Sequence, residues 1–78
     1  PIGYFASVPQ GVYYTGQDER GRYTGLRFFD YAQRRSVEVA PRSITGPVNS
    51  LTVTPDGRGL VYTRNPKDGI DLALIQFQ

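Results

Sequence analysis

The sequence predicts an all-β chain of antiparallel strands with essentially no helix. Three observations carry the prediction. Apolar and polar residues alternate in short runs, the pattern of strands with two distinct faces. The nine Gly and six Pro fall almost all between those runs and not inside them, so they divide the chain into short elements. Nowhere do apolar residues recur at i, i+3, i+4 and i+7, as a helix burying one face requires.

The clearest element is the hairpin from Ser50 to Thr63, SLTVTPDGRGLVYT. Leu51 and Val53 alternate with Thr52 and Thr54, Pro55-Asp56-Gly57 breaks the run, and Leu60 to Thr63 resumes it. Pro55 presets φ, Asp56 bonds nearby backbone, and Gly57 supplies the positive φ that reverses the chain.

Upstream, the aromatic run Gly3 to Val8 closes at Pro9-Gln10-Gly11 and Val12 to Thr15 follows, two strands joined by a tight turn. Gly16 to Gly21 (GQDERG) is polar, with a Gly at each end, and reads as an exposed loop. Arg22 to Tyr31 is the third strand, with Leu26 and Phe28 on one face and Phe29 and Tyr31 on the other. Ala32 to Arg35 turns the chain, and Ser36-Val37-Glu38-Val39 alternates cleanly as an outer edge strand with one wet face. Ala40 to Pro47 holds two Pro and a Gly and is the longest connection, where the chain passes from one sheet to the next. After the hairpin come the loop Asn65-Pro66-Lys67-Asp68-Gly69 and a last strand, Ile70 to Phe77.

The chain repeats itself. Gly11-Val12-Tyr13-Tyr14-Thr15 matches Gly59-Leu60-Val61-Tyr62-Thr63 at an offset of 48 (11 to 59), and Leu26-Arg27-Phe28-Phe29 matches Leu72-Ala73-Leu74-Ile75 at 46 (26 to 72). Pro9-Gln10-Gly11 matches Pro55-Asp56-Gly57, also at 46 (9 to 55), so the second turn carries two extra residues, read as Arg58-Gly59. A strand-built period of this length falls in the range of β-propeller blades. In the second copy Leu60 and Tyr62 point one way and Val61 the other, while Leu72 and Leu74 oppose Ala73, Ile75 and Phe77. A sheet apolar on both faces must be covered on both faces, and two small sheets cover only one face of each other. The outer faces should therefore be sticky, and the chain part of a larger body or an oligomer.

Seventy-eight residues allow at most one small domain, and no Cys or His is present to staple it by disulfide or zinc. The formal net charge of +2 is spread from Arg20 to Lys67 without the dense patch typical of nucleic-acid binding. No run is long and apolar enough to span a membrane, and the lack of Met at position 1 suggests a fragment or a processed product.

No catalytic, cofactor-binding or metal-binding set emerges. Asp30, Asp56, Asp68 and Asp71 are the nearest thing to a carboxylate cluster, but their spacing matches no calcium loop and suits turn capping better. Ser7, Ser36, Ser43 and Ser50 have no His to activate them and no G-x-S-x-G elbow. Arg34-Arg35 and the interleaved Arg22, Tyr23, Arg27, Phe28 and Phe29 could form a stacking platform for single-stranded nucleic acid; rings packed between sheets, with Arg at the wet edges, is the plainer account. Gly57-Arg58-Gly59 is too short for a phosphate cradle and reads as turn chemistry.

At LTVTPDGRGLVYT followed by DGIDLALIQF, the chain resembles the repeat of the TolB-type, or PD40 (WD40-like), β-propellers. Their blades carry a strand, a Ser/Thr-Pro-Asp-Gly turn, a second strand ending in Tyr-Thr or a close variant, and a third after an Asp-Gly loop. Thr54-Pro55-Asp56-Gly57 fills the turn, and Asp68-Gly69-Ile70-Asp71-Leu72 the loop and strand start. The first copy, GVYYT through LRFFDY to SVEVA, resembles the preceding blade, with Pro9-Gln10-Gly11 in place of Pro-Asp-Gly. The resemblance implies two blades: residues 1–40 with four strands, a linker at 41–47, and residues 48–78 lacking the outer strand. By FFDY and PDG it is most similar to the final blades of bacterial regulators that join a winged-helix or kinase domain to a propeller. It implies a non-catalytic scaffold or protein-interaction module, an extracytoplasmic setting, and as partner another protein, the remaining blades or further copies of itself. No small-molecule substrate is evident. Two alternatives carry other functions: a free-standing small β-barrel binding nucleic acid through Arg22 to Tyr31, and the propeller remnant of a prolyl-oligopeptidase-like peptidase.

Overall fold

The structure, a computed structural model, describes residues 3–64 and 71–76. Its elements run in chain order as strands β1 (Phe5–Val8), β2 (Gly11–Gln17), β3 (Tyr23–Asp30) and β4 (Arg35–Pro41), one helical turn α1 (Arg42–Thr45), and strands β5 (Val48–Val53), β6 (Gly59–Arg64) and β7 (Asp71–Gln76). They form two antiparallel sheets, one of four strands in the order β1-β2-β3-β4 and one of three in the order β5-β6-β7. The all-β class, the four-plus-three division and the edge position of β4 are as the alternation and turn residues predict. The expected loop at 65–69, Ile70 and Phe77 lie outside the described residues.

Register assigns the faces. In the second sheet Leu60 is opposite Val53 and Ile75, and Tyr62 is opposite Leu51 and Ala73. These six share one face, and all of them belong to the core around buried Leu26, Val48, Leu60 and Tyr62. In the first sheet Tyr13 is opposite Ala6 and Phe28, and Thr15 is opposite Leu26. That face is turned to the second sheet, since Leu26, Tyr13 and Val39 enter the same core. Tyr13 and Phe28 stack with ring centroids 4.5 Å apart. Two stacked sheets thus enclose one layer of side chains, in which Leu26 and Leu60 are fully buried; each is worth roughly 2 kcal/mol of removed apolar surface.

The structure departs from the sequence expectation in six places. β2 runs on through buried Gly16 to Gln17, so the loop expected from Gly16 to Gly21 starts later, at Asp18. Arg35 belongs to β4 and not to the preceding turn, which is Tyr31 to Arg34. Arg34 adopts φ 53° there, and its N–H donates to Asp30 O at 2.7 Å. Tyr31 therefore lies past the end of β3, although its ring still meets Phe29 on the side the alternation assigned. The alternation of β4 holds from Ser36 to Val39 and breaks after it, where Ala40 also takes an inward position. Leu26 is opposite Ala40 while Arg27 is opposite Glu38, so Val39 is a bulge that turns into the core and leaves Val37 on the rim. The Ala40–Pro47 connection is not wholly irregular: Ala40 is buried in β4, and one turn of helix follows, too short to show a helical period. Finally, the extra turn residues are not Arg58-Gly59. The Thr54 N–H donates to Gly59 O as the inner rung of the hairpin, so Gly59 belongs to the strand and the insertion lies within Pro55–Arg58. Gly57 has φ 74°, as its turn position requires.

The one-turn helix is held by its last residue. The Tyr23 hydroxyl donates to Thr45 Oγ1 at 2.6 Å, and Thr45 Oγ1 donates to Gly46 O at 2.8 Å. This chain of bonds satisfies a fully buried threonine hydroxyl and fixes the crossing between the sheets.

Candidate protein-binding surface

The internal repeat survives in three dimensions. The pairs Gly11↔Asp30, Val12↔Phe29, Tyr13↔Phe28, Tyr14↔Arg27 and Thr15↔Leu26 in the first sheet recur as Gly59↔Gln76, Leu60↔Ile75, Val61↔Leu74, Tyr62↔Ala73 and Thr63↔Leu72 in the second. The inner hairpins agree as well: Phe5↔Tyr14 recurs as Leu51↔Tyr62, and Ser7↔Val12 as Val53↔Leu60. Side chains repeat the same relations. Tyr4 N–H donates to Thr15 Oγ1 at 3.0 Å, and at the equivalent place Ser50 Oγ lies 2.7 Å from Thr63 Oγ1.

The two faces exchange roles under this equivalence. The covered face of the second sheet (Leu51, Val53, Leu60, Tyr62, Ala73, Ile75) corresponds to Phe5, Ser7, Val12, Tyr14, Arg27 and Phe29, which form the outer face of the first sheet. The covered face of the first sheet (Ala6, Tyr13, Leu26, Phe28) corresponds to Thr52, Val61, Leu72 and Leu74, the outer face of the second. These outer faces are open: Phe5 is 68% exposed, Leu72 69% and Leu74 54%. Their polar groups are quiet. The Tyr14 and Ser36 hydroxyls bond at 2.6 Å, Arg27 and Glu38 are register partners of opposite charge, and the Arg27 stem lies against Gly16. Face parity in the second copy groups Leu72 with Leu74 and reads both faces as apolar, without assigning which of them is open. The matching outer face of the first sheet was missed, although applying the same repeat offset to face parity would have found it.

The candidate chemical residues resolve into turns. Asp56 Oδ1 accepts the Thr54 hydroxyl and, at 3.0 Å, the Arg58 N–H. Those bonds, the hydroxyl's first, hold its carboxyl below the usual range. Asp30 Oδ1 accepts the Gln33 N–H at 3.0 Å. Asp18, not singled out by sequence, organises its loop by accepting the Arg20 and Arg22 N–H groups at 2.8 and 2.9 Å, with an exposed ion pair to Arg22 at 3.4 Å. Asp68 and the Asp71 side chain lie outside what the structure describes. Asp30 and Asp56 both line an open cleft of about 490 Å³ with Val8, Pro9, Tyr13 and Phe28. Among the described residues no group of three or more His, Cys, Asp or Glu side chains could hold a metal.

The basic aromatic strand is divided between environments. Tyr23 and Phe28 turn inward, Phe29 and Tyr31 meet edge-on at 6.1 Å near its end, and Arg22 is engaged by Asp18. No protein family, curated protein or solved structure matches the chain.

Proposed function

We propose that this chain is a non-catalytic structural and protein-interaction module, the counterpart of the last two blades of a TolB/PD40-like β-propeller. One observation carries the reading: the two sheets share one strand register, pair for pair, while each leaves a face open, with Leu72 and Leu74 exposed on the second and Phe5 exposed on the first among Val12, Tyr14, Phe29 and polar groups. A repeat of this kind buries its faces by stacking on neighbours, and its ends remain apolar until something covers them. Binding would run through flat sheet faces, where the contact is side-chain packing, and would need no reacting group.

The test is a solution structure by NMR together with an oligonucleotide titration at low salt. The reading expects two separately hydrogen-bonded sheets with β1 beside β5, and a spectrum indifferent to the oligonucleotide. One continuous barrel, or shifts concentrated along Arg22 to Tyr31 that vanish as salt is raised, would overturn it.

A further inference from the structure

We propose that the outer faces of the two sheets are the two halves of one self-association interface, and that the occupant of each is a second copy of this chain, joined head to tail. The proposal rests on the stacking-repeat reading and names its partner. Continuity with the interface inside the chain is the argument. Within one molecule the Tyr13/Leu26/Phe28 face covers the Leu51/Leu60/Tyr62/Ala73/Ile75 face. Carried one repeat forward, the first of these becomes Val61, Leu72 and Leu74; carried one repeat back, the second becomes Phe5, Val12, Tyr14, Arg27 and Phe29. The chain thus already holds both members of the next interface, in the same register as the one it buries.

Shape and charge agree. Inside the molecule the first sheet contributes rings, Tyr13 and Phe28, to a mostly aliphatic partner. Between copies the aliphatic Val61, Leu72 and Leu74 would meet the rings Phe5, Tyr14 and Phe29, so total side-chain volume is kept while the contributors change sides. The Val61 face presents Ser50, Thr52, Thr63 and Gln76 beside its apolar groups and carries no charge, and the facing surface sets Arg27 opposite Glu38, so no like charges are brought together.

The contact is heterologous, because two different patches meet; such contacts either close into a ring or propagate. Each face is small: three strands about 4.8 Å apart and about five residues long cover roughly 250 Å², well short of the ~800 Å² per partner of a standard stable interface. A lone pair of copies is therefore weak, and closure, which engages both faces of every copy, stabilises the assembly. The copy number is set by the rotation between sheets, applied twice per chain.

The experiment is light scattering on a sizing column with the full chain, from low micromolar to near-millimolar concentration, for the wild type, Phe5→Lys, Leu72→Lys and an equimolar mixture of the two variants. Circular dichroism verifies that the variants fold, as the exposure of both positions leads one to expect. The proposal expects the wild type to pass from monomer to one defined assembly with little dimer. It expects each variant alone to associate at least about tenfold more weakly, and the mixture to form no assembly larger than a one-to-one pair, joined through its two intact faces and populated only toward the top of the concentration range. A folded wild type that stays monomeric throughout overturns the self-association and leaves the stacking-repeat reading standing, its faces then belonging to sheets of another protein. Either variant associating like the wild type overturns the head-to-tail pairing, because one face would then suffice. A wild type whose two sheets merge into one barrel overturns both readings.

Discussion

The Tyr23 hydroxyl lies 2.6 Å from Thr45 Oγ1, joining β3 to the single helical turn that carries the chain from one sheet to the other. Because Thr45 passes its own proton to Gly46 O, the two ends of this bond are unequal. Tyr23→Phe removes one donor and should cost about 1 kcal/mol. Thr45→Val strands a tyrosine hydroxyl and a carbonyl together and should cost about 2–3 kcal/mol. Urea unfolding of the two variants, with unchanged m-values, measures the difference.

Leu26 and Leu72 occupy the same place in the repeat, yet one is fully buried and the other 69% exposed. Leu26→Ala should cost about 3 kcal/mol or more through lost burial and the cavity left behind, a large share of the few kcal/mol available to a chain of this size. Leu72→Ala should change monomer stability by less than about 0.5 kcal/mol. Thermal melts at low concentration, where association does not contribute, give the comparison.

Gly11 and Gly59 are also repeat partners, and each leaves room for the side chain beside it. A Cβ on Gly11 would stand 2.0 Å from Phe29 O and 2.6 Å from Phe28 Cζ. On Gly59 it would meet the Leu74 and Thr54 methyls at 3.0 Å and Ile75 O at 3.3 Å. Backbone cannot yield as an exposed Leu74 can. Gly11→Ala should therefore destabilise by more than about 2 kcal/mol and Gly59→Ala by about 1 kcal/mol or less, as denaturant midpoints will show.

Burial raises the Tyr13 hydroxyl above its ordinary 10.0, and burial, as the leading effect, does the same for Tyr23 against the Thr45 bond and Arg42. The folded chain then holds these protons where the unfolded chain releases them, so stability is full below pH 10 and falls as pH rises beyond it. Tyr23→Phe should flatten part of that alkaline loss. Asp56 behaves oppositely. Its lowered value gives stability present above 3.8 and lost as pH falls through the folded value, and Asp56→Asn should remove that dependence. Unfolding midpoints against pH test both arms.

What could be read from the chain was set by side-chain alternation and turn chemistry. Leu60, Tyr62, Leu72 and Leu74 show their faces because a strand's period of two is fixed by backbone geometry, and Pro55-Asp56-Gly57 marks its turn because each residue favours one local conformation. The bulge at Val39 was hidden: valine there continues the alternation begun at Val37, and only the pairing across to Leu26 and Arg27 shows that a residue is skipped. The turn of helix at Arg42–Thr45 is shorter than any period that could announce it, and its anchor, Tyr23, is distant in sequence. Asp18 looked like one polar loop residue among several until its two backbone donors were placed. The open faces were half legible, because parity was read in one copy and not carried to the other.

The second hairpin holds Pro55–Arg58 where the first holds Pro9-Gln10, yet the strands on either side keep the same partners. This corner therefore accepts added length without disturbing the ladder. Lengthening a flexible loop is cheap, about 0.6 kcal/mol for each doubling, and the turn lies at the tip of a hairpin whose inner rung, Thr54 to Gly59, is already closed. A peptide tag or binding epitope inserted between Asp56 and Gly57 would be displayed at this corner, making it the natural attachment point for engineering the chain as a carrier.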